Sequence, residues 1–575
     1  MGRHPTGADR AGETESAARE LLEATWRIVS ETPLVARELG RTLDHLPDIG
    51  LNAISGRSRE GRDIVARIDR LDTSRLAPDV TLDLSVAHRL ASVWMRAEDW
   101  YWLVFDPLGD GFFSMFAPSA YSGAFVLNIV HEALENATIE NPADAERHLE
   151  LIGDYAGLVR QLTERTEGQA ERGIHIPAAQ LDRAVSLVDG LKGVALENLR
   201  AVSARAAGIL SPEALSRADR RITSEVEPAF DDLLRLLGSA DYASRSPDSV
   251  GLGSYPGGAE IYEELVALHT TQSLSAAEVH ERGLARMKRI DGEMRALVAS
   301  VGFEGSPQAY REALAEDPRW RARTDDDIAA LFQRYIDRLA AGLDEHFGRI
   351  PDAAYGVAPL PAAVSGSMTF GYYSPPQPDR DAGLYYFNGA NLSKTSLPMV
   401  AALNYHELVP GHHLHLALQQ ERTDLHPLRQ HTAATAFTEG WAEYAARFAG
   451  EIGMYREPEE LFGRLVMEAF LTSRLVVDTG LNAFGWSLER GRDYMREHSF
   501  MDETEIQSET LRYSCDIPAQ ALAYKLGDDF LHRLREDVRA EVGDDFRVAD
   551  FHDAVLHSAG LPLPLVEQQV RGRML

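Results

Sequence analysis

Three histidines and a glutamate stand close together in the run NYHELVPGHH at residues 404–413. Two more glutamates, Glu439 and Glu443, follow in the apolar segment TAFTEGWAEYAARFAG at residues 435–450. Imidazole and carboxylate groups are ligands that zinc takes in proteins, and a catalytic zinc site keeps one further position open for water. The residues therefore predict one Zn²⁺ ion per chain and the hydrolytic chemistry of an activated water molecule.

The spacing of the histidines departs from the common zinc signature, in which two histidines at i and i+4 share one helical face beside a glutamate. Pro410 occupies the i+4 position, so His412 or His413 must supply the second ligand. On a straight helix, neither of them could bind the same zinc ion as His406. Pro410 cannot donate to the carbonyl of residue 406, and Gly411 tolerates almost any backbone angle, so this pair favours a bulge. The alternative is that the pair ends a helix and leaves the histidines in a loop.

The acidic residues divide into two roles. Glu407, directly beside His406, is placed to take a proton from water without binding the metal, as a general base does. Glu439 lies between Phe437 and Trp441, and the partial burial that this implies requires the carboxylate to be paired or to bind metal. We therefore expect Glu439 to be the third ligand, and Glu443 to be either a neighbour of the site or a surface charge.

Composition excludes several classes of protein. The chain of 575 residues carries a formal net charge of −31, which disfavours binding to nucleic acid and to anionic membranes. The N-terminal residues lack the apolar stretch of a signal peptide, and no run of apolar residues is long enough to span a membrane. The single cysteine, Cys515, excludes an internal disulfide. These features predict a cytoplasmic protein; they leave the oligomeric state open.

Helical periodicity dominates the chain, so the predicted fold is a large, mainly α-helical body with a deep cleft. Ser275 and Glu278 fit a helix-capping box. Aromatic, glycine and proline residues interrupt the helical pattern and predict a small β element near residues 365–390. A second break, at residues 239–260, is rich in glycine, serine and proline. We predict a disordered tail over residues 1–20, a helical subdomain over 21–245 and a catalytic subdomain over 246–575.

The histidine run and the later segment EGWAEY at residues 439–444 resemble the signature of the bacterial domain-of-unknown-function 885 family, HExxPGHH followed by an EGWA-type helix. Further ordered blocks at residues 251–258, 269–280, 474–487 and 512–527 resemble that family as well. Together the blocks cover about residues 250 to 530, whereas the first 240 residues match only in helical character. Three positions depart from the family pattern, which usually has histidine, glycine and glutamine there: Asn482, Ala519 and His415.

That family looks related to the helical gluzincin metallopeptidases, in which the second zinc histidine often follows a glycine. The resemblance therefore implies that His412 is the ligand and that His413 is a substrate-facing neighbour. It also implies that Tyr524 or Tyr513 stabilises the developing oxyanion, although both could be core aromatics. The strand near Tyr386 resembles an edge that holds an extended peptide. Basic residues that could bind a carboxylate terminus, or could equally form structural ion pairs, are Arg474, Arg512 and Lys525.

The residues and the family resemblance together predict a zinc-dependent hydrolase that cleaves amide bonds of short peptides or peptide-like substrates, with Glu407 as general base. A zinc-dependent hydrolase or lyase of a non-peptide small molecule is the main alternative, since a fold does not fix a substrate. A binding protein with a vestigial site is weaker, because His406, Glu407, His412 and Glu439 are all present.

Overall fold

The computed structural model describes residues 7–106, 114–117, 119, 130–131, 134–135, 139–206, 208–360, 370–378, 380–390, 392 and 397–575. Helices make up 72% and strands 3%, which confirms the mainly α-helical prediction. The described chain forms two compact units. The first contains the described residues up to Gly258, together with His426–Leu428 and Cys515–Ile517, and the second contains the remainder.

The first unit is entirely helical apart from its loops. Its helices are α1 (Gly7–Ser30), α2 (Pro33–Glu38), α3 (Leu51–Ile68), α4 (Pro78–Trp100), α5 (Pro142–Glu171), α6 (Ala178–Arg205), α7 (Pro212–Arg221), α8 (Glu227–Leu237) and α9 (Ala240–Arg245). Residues 7–20, which were predicted to belong to a disordered tail, form part of α1. That helix buries Ala18, Leu21 and Leu22, and this apolar contact orders it. Residues 1–6 lie outside the described part.

The second unit carries the chemistry-bearing residues. Its first helices are α10 (Gly258–Thr270), α11 (Ala276–Ser300), α12 (Pro307–Glu316) and α13 (Asp325–Ala340). After the strands follow α14 (Val400–Glu407), α15 (His412–Glu421), α16 (Pro427–His431), α17 (Thr435–Glu451), α18 (Pro458–Asn482), α19 (Leu488–His498), α20 (Glu503–Leu511), α21 (Ala523–Val542), α22 (Val548–Leu556) and α23 (Leu563–Met574). The predicted capping box is present, since Ser275 and Glu278 each accept from the other's backbone at the start of α11.

Three short strands form one sheet in the second unit, in the order β1–β3–β2. The strands are β1 (Tyr355–Pro359), β2 (Gly371–Ser374) and β3 (Gly383–Phe387). β3 pairs in parallel with β1 and antiparallel with β2. The predicted β element near 365–390 is thus confirmed by β2 and β3, although residues 365–369 lie outside the described part. The strand β1 was not predicted, because its YGVAP segment lacks the aromatic clustering of the other two strands.

The helices α17 and α21 pack with their backbones in direct contact. This contact places the helix that carries Glu439 beside the helix that carries Tyr524. Gly440 of α17 faces Gly527 of α21, and a Cβ on Gly440 would lie 2.5 Å from the Gly527 Cα atom. A Cβ on Gly527 would in turn overlap the carbonyl oxygen of Ala436. Only glycine fits at these two positions, because the obstructing atoms are backbone and cannot rotate away.

We expect Gly440→Ala to lower the free energy of unfolding by about 2 to 3 kcal/mol, the cost of overpacking a tight contact. The matched control is Gly292→Ala, in the exposed part of α11, where an added Cβ meets nothing within 4 Å. That change should raise the unfolding free energy by about 0.5 to 1 kcal/mol, since alanine is the better helix former. Urea denaturation of both variants measures the difference, and equal effects would contradict the packing described.

Candidate metal centre

A four-residue turn brings the predicted ligands together. α14 ends at Glu407, the turn runs through Leu408–Gly411, and α15 begins at His412. Any side chain at position 411 would overlap the His406 carbonyl oxygen, so the turn requires glycine. The Trp441 indole nitrogen donates to the carbonyl oxygen of Pro410 at 3.0 Å and ties the turn to α17. The sequence favoured a bulge within one helix. The structure instead has two separate helices joined by this turn.

His406, His412 and Glu439 form a compact cluster of potential ligand atoms. The Nε2 atoms of His406 and His412 lie 3.7 and 3.4 Å from the Glu439 Oε2 atom. One ligand atom from each of the three residues lies within 4.8 Å of the others. All three side chains are largely or fully buried, Glu439 being 17% exposed. Among the described residues, this is the one group of histidine, cysteine or acidic side chains with such spacing.

Glu443, one turn after Glu439 on α17, orients the His406 ring. Its Oε1 atom lies 3.0 Å from Nδ1 of His406, which donates because an ionised carboxylate can only accept. Burial alone would raise the pKa of Glu443, but the charges of Arg464 and Lys525 and the bond from His406 hold that pKa well below its ordinary value. With Nδ1 engaged in this way, the Nε2 lone pair of His406 faces Glu439. Metal-binding histidines commonly have such a carboxylate partner.

The donor set fits a zinc ion. Ligands at about 2.0 to 2.2 Å from a tetrahedral zinc ion stand about 3.3 to 3.6 Å apart, close to the two measured separations. The local charge fits as well, because no lysine or arginine in the described chain forms an ion pair with Glu439 or Glu407. Two buried carboxylates without a cation are costly, and a dication would neutralise them.

Glu407 occupies the position of a base beside the cluster. It is 9% exposed at the end of α14. Burial raises the pKa of its carboxyl group above the ordinary value, the charges of Glu439 and Glu443 raise it further, and His406 and His412 oppose the rise. A carboxyl group with a raised pKa exchanges protons more readily near neutral pH than an ordinary glutamate does.

A set of alternating buried charges extends from Glu443 through the second unit. Glu443 contacts Arg464 at 3.2 Å and Lys525 at 3.0 Å. Lys525 contacts Asp528 at 2.7 Å, and Arg286 joins Asp528 and Glu468, each at 2.9 Å. We call this the buried ion set; its members are Glu443, Asp528, Glu468, Arg464, Lys525 and Arg286. Its three negative and three positive groups balance one another, while the partly exposed Arg289, Asp529 and Arg447 contact the set from outside.

Glu443→Gln should lower the free energy of unfolding of the metal-free protein by about 3 to 5 kcal/mol, because it leaves buried positive charge uncompensated. It should also weaken metal binding about 10- to 100-fold, the usual cost of losing a carboxylate behind a histidine ligand. Denaturation of the metal-free protein measures the first effect, and titration with a competing chelator measures the second.

The matched control lies on the same helix. Glu451→Gln removes a partly exposed ion pair with Arg535 and should cost less than about 1 kcal/mol. The double variant Glu443→Gln/Lys525→Met restores neutrality and should recover part of the lost stability. No recovery in the double variant would contradict the charge-balance explanation.

Comparison with known proteins places this chain in a family. The family model for "Bacterial protein of unknown function (DUF885)" matches residues 33–570, which is nearly the whole chain. The chain belongs to this family. No curated protein matches the sequence.

Two solved structures share the fold. One, described as "the putative lipoprotein from Colwellia psychrerythraea", is 23% identical with a TM-score of 0.82 and covers 98% of this chain and 99% of its own. The other, from Shewanella oneidensis and described in the same words with "of unknown function" added, is 17% identical with a TM-score of 0.73 and the same two coverages. At these identities the likeness shows the fold alone. No helix among the described residues of this family member is long and apolar enough to cross a membrane.

Tyr524, near the start of α21, lies at the cluster. Its ring stacks over the His406 ring at 6.1 Å. The pKa of Glu439 is lowered against its burial by His412 first, then by His406, and the Tyr524 hydroxyl adds to this lowering. The Arg474 guanidinium lies 4.9 Å from the centre of the same ring. Tyr513 differs, because its hydroxyl donates to Glu509 and accepts from Nε of Arg474 at 3.0 Å. Its fully buried ring fits the core aromatic that the sequence analysis kept as the alternative.

His413 faces away from the cluster, although it is adjacent to His412. Its Nε2 atom donates to the Ala353 carbonyl oxygen at 3.1 Å, and its Nδ1 atom lies 2.8 Å from the Tyr373 hydroxyl of β2. Tyr386 on β3 stacks with Tyr372 at 5.2 Å. Within the described chain, neither His413 nor Tyr386 forms a hydrogen bond or a ring contact with His406, His412 or Glu439.

The predicted carboxylate-binding residues are engaged inside the protein. Lys525 is fully buried in the ion set, and Arg512 donates to Gln520 at 2.7 Å beside Glu509. Arg474 pairs with Glu509 at 3.1 Å. These contacts correspond to the structural ion pairs that the sequence analysis named as the alternative role.

Asn482, the departure from the family pattern, bonds to Asp478 and to the Tyr513 carbonyl oxygen. Asp478 is fully buried, and burial raises its pKa to about 7 against the hydrogen bonds from Tyr262, Ala519 and Asn482. Ala519, another departure, has a φ of 67°, a left-handed backbone that suits glycine better. Both departures therefore lie in one buried hydrogen-bonded region.

Sequence reasoning missed Arg464, Asp528, Arg286 and Glu468, the outer members of the ion set. The sequence of α18 could have indicated two of them. Arg464 and Glu468 lie one turn apart within a stretch that is buried from Phe462 to Asn482. Charged residues on a helix with apolar neighbours all round must find partners in the core. Their partners on α11 and α21, however, are distant in sequence and could not be named.

Proposed function

We propose that this chain is a zinc-dependent hydrolase that cleaves amide bonds of short peptides or peptide-like substrates. The observation that carries the proposal is the buried cluster of His406, His412 and Glu439, whose Glu439 pairs with no lysine or arginine of the described residues and whose His406 bonds to Glu443. The resemblance of the histidine run to helical metallopeptidases supports the amide as the bond cleaved. The family description and the compared structures state no activity.

His406 and His412, through Nε2, and Glu439 would hold the metal. When bound, a zinc ion supplies Lewis acidity that lowers the pKa of a water molecule and polarises a carbonyl group. Glu407 takes the proton from the attacking water and delivers it to the departing amine, which its raised pKa favours. Glu443 keeps the His406 ring in one tautomer throughout.

A short edge strand next to the histidines is evidence for an extended peptide as the substrate. β2 is an outer strand of the three-stranded sheet, and its Tyr373 contacts His413, the neighbour of His412. An extended peptide can add to such an edge through main-chain hydrogen bonds. We propose that short or unfolded chains are preferred over folded proteins for this reason.

Tyr524→Phe should lower kcat about 10²-fold and change KM much less, if the hydroxyl stabilises the developing oxyanion. The hydroxyl lies beside Glu439, where the cluster would bind substrate. The control is Tyr494→Phe on α19, a tyrosine that stacks with His498 outside the cluster. A rise in KM with kcat unchanged would contradict this role and would indicate that Tyr524 contributes to substrate binding alone.

The test of the proposed function uses the purified protein loaded with one equivalent of zinc, and in parallel with manganese or cobalt. A diverse library of unlabelled short peptides is incubated with each form, and mass spectrometry identifies the products. We expect cleavage of short peptides by the metal-loaded protein and none after chelation. A zinc-loaded protein that leaves every peptide intact but converts a non-amide metabolite would favour the small-molecule hydrolase or lyase instead.

Cytoplasmic location stays a prediction from the sequence. The two structures of similar fold carry lipoprotein descriptions, so attachment to a membrane surface is the alternative for this chain as well. Cell fractionation followed by detection of the protein distinguishes the two. Recovery from the membrane fraction would overturn the cytoplasmic prediction.

A further inference from the structure

A large cavity lies within the first unit, separate from the histidine cluster. Its volume is about 1220 Å³, and its walls come from the region of α1, α3, α4 and α5 and the loops between them. Five large aromatic side chains contribute to the walls: Trp26, Trp94, Trp100, Tyr101 and Phe105. Sites for small organic molecules are typically concave, mostly apolar and provided with a few polar groups that orient the ligand.

One wall residue, Arg165 of α5, is a buried cation. Its side chain is 2% exposed, and no carboxylate in the described chain pairs with it. Its guanidinium lies over the rings of Tyr101 and Phe105, at 4.6 and 5.1 Å. An Nη atom donates to the Val104 carbonyl oxygen at 3.1 Å, whereas Nε has no partner.

The buried arginines of the second unit provide the comparison. Arg286, Arg464 and Arg474 each contact at least one carboxylate, and in each the pKa is raised in spite of burial. Burial instead lowers the pKa of Arg165 to about 10, with only the Tyr101 hydroxyl opposing it. Arg165 is still charged at neutral pH. A buried charge of this kind is costly unless an anion compensates it.

The rest of the lining limits the charge of that anion. Seven acidic side chains and five arginines line the cavity, so its total charge opposes any anion away from Arg165 and opposes a multiply charged group such as a phosphate most. Arg57 is the second guanidinium against an aromatic wall, 5.7 Å from the Trp94 ring centre. A carboxylate is singly charged and matches the forked donors of one guanidinium. The aromatic walls require the remainder of the molecule to be apolar.

We propose that this cavity binds an organic monocarboxylate, with its carboxylate on Arg165 and its aliphatic or aromatic body against the tryptophan-lined wall. The inference concerns a second site and is independent of the chemistry proposed for the histidine cluster. A ligand bound there would stabilise the folded protein by an amount that grows with the logarithm of its concentration over its dissociation constant.

The test uses 11-bromoundecanoate and the matched neutral probe 11-bromoundecan-1-ol with the full chain. Bromine quenches tryptophan fluorescence on contact, and three of the seven tryptophans line the cavity. We expect saturable quenching by both probes, with the acid bound at least about tenfold more tightly, equivalent to about 1.4 kcal/mol. Equal affinities, or no saturable quenching by the acid, would overturn the proposal without the need for any variant.

Arg165→Met should abolish the preference for the acid, and Arg165→Lys should keep part of it because the charge remains. The matched control is Arg172→Met. Arg172 follows the same helix and packs over Trp102 at 3.8 Å, but it does not line the cavity. Circular dichroism checks that each variant is folded. If Arg165→Met keeps the tenfold preference for the acid, or Arg172→Met removes it, the carboxylate is bound elsewhere and the proposal fails.

Discussion

We expect replacement of Glu407 by glutamine to lower the proposed turnover of amide substrates about 10²- to 10⁴-fold without loss of bound metal, the range for loss of a positioned general base. The amide side chain has nearly the same shape as the carboxylate but cannot accept a proton from water. Because Glu407 lies beside His406 and is not one of the three clustered side chains, its replacement should leave the metal-binding atoms in place.

The measurement combines metal content with single-turnover rates on a peptide identified in the library experiment. Glu260→Gln, a change at an exposed position on α10, serves as the matched control and should leave the rate unchanged. Full activity in a Glu407→Gln protein with one equivalent of metal would show that another group moves the proton.

Removing a clustered ligand has the second large effect. His406→Ala and Glu439→Ala should each abolish stoichiometric zinc, because two ligands remain where three converge. The loss in affinity should exceed the roughly 10- to 100-fold that follows removal of an outer hydrogen bond. Zinc at 100 times its dissociation constant stabilises a folded protein by about 2.7 kcal/mol, so the variants should also lose a zinc-dependent rise in Tm.

His413→Ala is the matched control for ligand loss. This histidine is adjacent to the cluster, but both of its ring nitrogens are engaged with Ala353 and Tyr373. We expect the variant to bind one zinc ion per chain. Loss of zinc from His413→Ala, with retention in His412→Ala, would reverse the assignment of the second ligand.

The chemistry-bearing residues could be found from the sequence because each differs from what a plain helix needs. A proline and a glycine between histidines mark a break, and Glu439 stands among apolar neighbours. The orientation of His413 could not be found in this way. One residue's rotation along α15 decides which of two adjacent histidines faces Glu439, and that rotation depends on the turn geometry of Leu408–Gly411.

Other features depend on contacts between distant segments. The role of Glu443 required the knowledge that Lys525, 82 residues later, reaches it through the close approach of α17 and α21. The strand β1 forms because β3 pairs with it, and its own residues favour strand only weakly. The burial of Arg165 among aromatic rings could not be predicted either, since an arginine in a helical pattern is usually a solvated surface residue.

The neutrality of the buried ion set constrains how relatives of this protein can diverge. A single mutation that removes or reverses one of the six charges leaves an unbalanced charge in the core, so a lineage that acquires it would have less folded protein until a second mutation restored the balance. Exchange at these positions should therefore occur in pairs of opposite sign, and covariation between residues 443 and 525 should be strong. Homologues that have lost the metal-binding histidines should still keep the six charges, because the charges are inherited for folding.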